Sequence, residues 1–219
     1  MKTIVFCIPL FLFSWAFCQG QSSVSPVLAL DQQVTLKRVT ARTFLIPQAG
    51  VQSGRNLLLV GPVIRMGQLN QAYFGKPSLT GIQVTEAYFF SREGKKLQLY
   101  LAFKSKYQKT EEEWESNFWS VTSQAYRDYE MENEESIWEN SMGPGLVWNF
   151  YRNFHLNGSL GLGYYLSFLK HEKPEELSAP VIIKDYRPYR NQGLVYSIQI
   201  GIVYKMDHVS RLTGKSNGR

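Results

Sequence analysis

Cysteine is nearly missing from this chain of 219 residues: there are two, Cys7 and Cys18, both within the first eighteen positions. A chain trimmed after Cys18 has none, which excludes a disulfide scaffold and any thiolate metal site together. Histidine is also scarce, with only His155, His171 and His208. No phosphate-cradling glycine loop, zinc spacing or calcium loop occurs, so neither a metal nor another cofactor is expected. Beyond the N-terminus no run of eighteen apolar residues appears, and that excludes a later transmembrane helix. No repeat of solenoid length is visible.

What is present begins with an export signal. Lys2 precedes an uncharged apolar stretch from Ile4 to Phe13, and Ser14-Trp15-Ala16-Phe17-Cys18 then leads into the polar Gln19-Gly20-Gln21. This is the layout of a secretory signal peptide over residues 1–18, with Ala16 and Cys18 as the small residues three and one before the cut. Acylation of Cys18 in a lipoprotein is the alternative, and the bulky Phe17 speaks against it. The remaining chain, about 200 residues, suits one domain. It is 44% apolar and 14% aromatic, rich in rings for a soluble protein.

The strongest pattern lies at Phe154–Phe168. Phe154, Leu156, Leu160, Leu162, Tyr164, Leu166 and Phe168 alternate with His155, Asn157, Ser159, Gly161, Gly163, Tyr165 and Ser167, and Gly158 alone interrupts the apolar set. A period of two held for fifteen residues predicts a strand of roughly 50 Å, long enough to cross a bilayer at a tilt. The same alternation recurs over Lys96–Tyr107, Met142–Phe150 and Leu194–Met206. Lipid cannot satisfy an open sheet edge, so spanning strands must close into a barrel. One face then meets lipid and the other a polar lumen, for which Lys96, Gln98, Lys104, Lys106, Asn157 and Ser159 are the candidates. The lysines there are expected to pair with carboxylates such as Glu86 or Glu139.

Other segments read less clearly. Ile82, Val84, Tyr88 and Phe90 alternate, but Glu86 falls on their apolar face, and an inward Glu86 needs a bulge nearby. Leu57–Met66 is interrupted by Gly61-Pro62, and Pro62 cannot donate to a ladder. Val34–Ile46 reads as either a first strand or a lead-in. Short links at Ser91–Gly94 and Tyr151–Asn153 alternate with long polar stretches at 67–79, 108–136 and 170–192, as periplasmic turns alternate with external loops. The net charge is +6, yet residues 111–135 hold nine acidic side chains against Arg127 alone. That block reads as a solvated external loop, and within it Glu111–Ala125 has helical spacing through Trp114, Phe118 and Val121. The aromatics Trp148, Phe150, Phe154, Tyr204, Tyr88 and Phe90 fall at one turn level, as an interfacial girdle would.

The last strand, Gln199-Ile200-Gly201-Ile202-Val203-Tyr204-Lys205-Met206, resembles the terminal targeting signal of outer-membrane barrels. The resemblance implies that Gln199, Gly201, Tyr204 and Met206 are recognised by the barrel-assembly machinery. Met206 stands where an aromatic is usual, and Asp207–Arg219 follow. As a whole, residues 55–206 resemble the small porin-like outer-membrane barrels common in Bacteroidota.

These readings predict an all-β, antiparallel transmembrane barrel of eight strands, with ten as the alternative. The expected layout is a signal peptide at 1–18, a periplasmic segment at 19–33, the barrel at 34–206 and a polar tail at 207–219. At eight strands side chains fill the interior, which predicts a structural, surface-interaction or narrow porin-like role. Expected partners are outer-membrane lipid, the assembly machinery and a small solute or surface ligand, with no nucleic acid, since the cations are scattered and the chain is exported. A soluble lipocalin-like barrel binding an apolar ligand is the alternative, and it wants the opposite facing. A lipid hydrolase or acyltransferase is a further one, but His155 and Ser159 sit roughly 13 Å apart along one strand, too far for activation. No catalytic residue is therefore expected.

Overall fold

The computed structural model describes residues 24–37, 40–68, 78–91, 95–120, 125–172 and 189–206. The signal peptide at 1–18, the start of the segment at 19–33 and the tail at 207–219 lie outside the described residues. Eight strands follow one another: β1 (Val24–Lys37), β2 (Thr40–Ser53), β3 (Asn56–Gln68), β4 (Ser78–Phe89), β5 (Leu97–Ser120), β6 (Ala125–Tyr151), β7 (Phe154–Glu172) and β8 (Tyr189–Lys205). Each pairs antiparallel with the next, and β8 returns to β1 from Val27↔Lys205 to Lys37↔Val195, so the sheet closes as the expected eight-stranded barrel. Closure leaves the barrel wall no free edge.

Period-two alternation sets the two faces. Outward lie Leu28, Leu30, Leu99, Leu162, Ile198 and Ile200, each between 45% and 65% exposed. Inward lie Asp31, Gln33, Gln83, Lys106, Glu139 and Gln199, none above 4% exposed. The facing is the reverse of a soluble barrel's, which rules against the lipocalin-like arrangement. On β5 the outward series from Leu97 to Tyr107 spans roughly 25 Å at a tilt of about 40°, the height of a bilayer's apolar layer. Aromatic pairs mark both levels of that belt. Tyr88–Phe90, Trp148–Phe150 and Phe154–Tyr204 lie with centroids 4.9–6.0 Å apart at the end with the short turns, and Tyr107–Trp138 (4.9 Å) lies at the other.

Four expectations need correction. The barrel starts at Val24 rather than residue 34, because Val24–Lys37 forms a full strand between β2 and β8. Val34–Ile46 is therefore the end of one strand and the start of another. Residues 108–136 are mostly strand, not loop: β5 and β6 pair from Leu97↔Trp148 out to Ser120↔Ala125, and the helix expected at Glu111–Ala125 is absent. Glu86 stays on the outward face with Ile82, Val84 and Tyr88; the β4 bulge falls at Thr80, where Val63 pairs with Gly81 and Ile64 with Leu79.

Pro62 is accommodated in mid-strand. The β2–β3 register, Leu45↔Ile64 and Ala49↔Val60, sets Pro47 opposite Pro62, and the ladder is interrupted between those pairs. Two residues without N–H groups face each other, so no donor is left unpaired.

Candidate functional site: the filled lumen

The lumen is layered. Near the end with the long connections, Glu139 on β6 receives two cations: Lys106 Nζ on β5 lies 2.8 Å from its Oε2, and Lys37 on β1 pairs with its Oε1. Lys106 also donates to Thr35 Oγ1 (3.1 Å) and Gln33 Oε1 (3.4 Å), and its Nζ stands 4.1 Å from the Phe44 ring centroid. Lys37 lies 5.1 Å from the Tyr165 centroid. Above them Arg42 Nη2 meets Glu135 Oε2 at 3.3 Å. Four strands from opposite sides of the barrel are thereby tied across its axis.

The middle layer is built around Asp31, which is fully buried. Asn157 Nδ2 donates to Asp31 Oδ1 (3.3 Å), the Tyr100 hydroxyl donates to Asn157 Oδ1, and Lys104 Nζ donates to Ser159 Oγ (2.6 Å). Gly201 belongs to this layer for a steric reason: a Cβ there would lie 1.9 Å from Asp31 Oδ1. Beside it, Gln48 and Gln83 both donate to Thr85 Oγ1 at 3.2 Å.

Toward the short turns the lumen becomes apolar. Val27, Ala29, Leu59 and Val203 form one cluster; Ala87, Phe89, Tyr100, Ala102 and Val147 form another. Leu59, Val203, Ala87, Phe89, Tyr100 and Val147 of these clusters line a cavity of about 20 Å³ floored by Lys104, Asn157 and Gln199. That volume holds one ordered water, not a solute.

Of the expected lumen residues, Gln98, Lys104, Lys106, Asn157 and Ser159 do point inward and are buried. Lys96 does not: it is exposed in the bend before β5, because the strand begins at Leu97. Lys106 pairs with Glu139 as expected, whereas Glu86 is on the other side of the wall. The terminal motif divides between faces. Gln199 and Gly201 are buried inside, Tyr204 packs outside on Phe154, and the Met206 N–H, past the end of β8, donates to the Pro26 carbonyl (3.0 Å). Sequence reading missed Asp31, in the segment taken for a lead-in, and Lys37 and Arg42, in the stretch read as either a first strand or a lead-in. The polar positions Asp31, Gln33, Thr35 and Lys37, spaced by two, were the available signal.

His155 is buried near the short-turn end, and its Nδ1 has no hydrogen-bond partner among the described residues. Ser159, the nearest polar residue of its strand considered for activation, is engaged by Lys104 instead. The described residues contain no cluster of His, Cys, Asp and Glu able to hold a metal ion.

No family model matches the sequence, and no curated protein matches it. Among solved structures, the chain is similar to the N-terminal β-barrel domain of Pseudomonas aeruginosa OprF, at 13% identity and a TM-score of 0.42, over 85% of this chain and 100% of that one. It is also similar to Neisserial surface protein A, at 10% identity and a TM-score of 0.40 over 86% and 100% of the two chains. A third is a major outer membrane protein from Thermus thermophilus, at 10% identity and a TM-score of 0.37 over 83% and 99%. At this level of similarity, function has to be argued from the chain's own residues.

Proposed function

We propose that this protein is an integral outer-membrane barrel with a structural or surface-interaction role, passing at most small solutes through a narrow path. The observation that carries this reading is the inverted facing: an apolar outer belt of membrane height around a lumen crossed by Lys37–Glu139–Lys106. Water cannot solvate such a belt without aggregation, and lipid cannot solvate an open sheet, but a closed barrel in a bilayer satisfies both constraints. The short-turn end, with both described termini, then faces the periplasm, and the β5–β6 hairpin projects outside. On this reading residues 1–18 direct export, and Gln199, Gly201, Tyr204 and Met206 present the terminal signal to the assembly machinery. The resemblance of residues 55–206 to Bacteroidota barrels fits the same placement. No catalytic role is proposed: the Nδ1 of His155 has no hydrogen-bond partner among the described residues, and Ser159 is engaged by Lys104.

Membrane fractionation with boiled and unboiled gel mobility tests the placement. The expected result is recovery with outer membranes and a heat-dependent shift in mobility. Recovery in the soluble fraction without that shift would sink the proposal. Planar-bilayer recording of the inserted protein then separates a closed barrel from a narrow channel.

A further inference from the structure

Across the middle of the outward face of β3–β5, Glu86 is the one ionisable side chain, among apolar residues and Ser105. Glu86 lies between Val84 and Tyr88 on β4, with Leu58 of β3 and Phe103 of β5 as its register partners. Its carboxylate is partly exposed on that face and has no hydrogen-bond or ion-pair partner among the described residues. A lone ionisable group within a lipid-facing belt is costly unless a ligand satisfies it.

The surroundings supply the opposite charge one step nearer the periplasm. Tyr88, 44% exposed, accepts a hydrogen bond on its hydroxyl from Arg55 Nη1 (3.4 Å). Arg55 is exposed in the two-residue turn Gly54-Arg55, and its carbonyl accepts from the Phe89 N–H (2.8 Å), which anchors the turn beside β4. Gly54, at φ 57°, makes this turn possible. The surface thus presents a carboxylate, a phenol and a guanidinium in sequence. Glu86 and Tyr88 are two residues apart, roughly 7 Å along a strand whose tilt makes part of that distance lateral. The flexible glutamate stem lets its carboxylate lean toward the interface.

We propose that Glu86, Tyr88 and Arg55 form a headgroup site for an aminophospholipid of the periplasmic leaflet, a reading that rests on the barrel spanning the outer membrane. The guanidinium takes the phosphate, for which its forked donors are suited, and Glu86 accepts hydrogen bonds from the primary ammonium. The acyl chains lie along Leu58, Ile82 and Leu101. A zwitterionic lipid answers both charges with one molecule. A second copy of this chain docked across a two-fold at this face would set Glu86 against Glu86, which disfavours that occupant.

The test uses the full mature chain refolded into vesicles of phosphatidylethanolamine and phosphatidylglycerol, then extracted for native mass spectrometry of retained lipid. Wild type is expected to keep phosphatidylethanolamine about threefold over phosphatidylglycerol, the size expected of one interfacial ion pair. Glu86→Gln should abolish that preference while still retaining lipid; Arg55→Gln should lower retention of both lipids. Equal preference in wild type and Glu86→Gln overturns the site, as does a shift from dimer to monomer on Glu86→Gln, which would mark a protein interface. Heat-dependent mobility is measured on the same samples. Insertion without selectivity overturns the headgroup site alone, whereas failure of wild type to insert overturns the membrane reading and the site with it.

Discussion

At the scale of single residues, the lumen's stability concentrates in Glu139. It is 4% exposed and neutralises two lysines that are themselves buried. Removing the carboxylate leaves both ammonium groups without a counter-charge in a site closed to water, a loss of about 3–5 kcal/mol for a buried pair. Glu139→Gln should therefore lower urea stability in vesicles by that order, and adding Lys106→Met should recover part of it. An unchanged midpoint for the single variant would show that water already reaches the pair. Gly145 makes a separate steric case. A Cβ there would fall 2.0 Å from Tyr100 Cζ, and the ring is held by its hydroxyl's bond to Asn157. Gly145→Ala should cost about 1–3 kcal/mol through overpacking, and the cost should vanish in a Tyr100→Ala background. The same unfolding measurement reads both.

At the scale of elements, β5 and β6 are 24 and 27 residues long, and only their lower parts belong to the barrel. β4 leaves β5 at Gln108, and β7 leaves β6 at Glu132, so residues 114–120 and 125–131 form a two-stranded ribbon. The barrel owes this ribbon no ladder hydrogen bonds. Replacing residues 114–131 by a short turn should leave heat-dependent mobility intact, and loss of folding would show that the ribbon nucleates the hairpin. The sequence hid this element because its charge and the spacing of Trp114, Phe118 and Val121 favour a loop or helix, while pairing with a distant strand decides the outcome. β1 was hidden for another reason. Near the end with the short turns the lumen is itself apolar, so Val27-Leu28-Ala29-Leu30 shows no contrast between faces, and Gln32 on the outward face breaks the pattern further. Where the lumen is polar, as along β7 and β8, alternation was legible from end to end. Lys96 marks the limit of that reading: periodicity continued past the residue where the strand stops.

At the scale of the whole molecule, two properties follow from one inversion of facing. The first is closure of the lumen. Lys37, Glu139 and Lys106 cross the axis, and the cavity beneath them holds about one water, so wild type should conduct little in planar bilayers. Replacing all three by alanine should raise conductance, and no change would mean that the Asp31 layer alone seals the path. The second property is the lipid belt, and it supports a paired test because neighbouring residues on β7 face opposite media. Leu162 is 54% exposed on the outer face, with Met142 and Tyr196 as its register partners. An arginine there must enter hydrocarbon, which costs about 2–4 kcal/mol at the midplane of a bilayer. In detergent with a polar surface the same arginine reaches water and costs far less. Leu162→Arg should therefore lower stability in vesicles much more than in detergent, whereas Ser159→Ala, which strips Lys104 of its acceptor inside the barrel, should weaken both alike. A Leu162→Arg penalty equal in the two media would place that face in water and remove the membrane from the account of this fold.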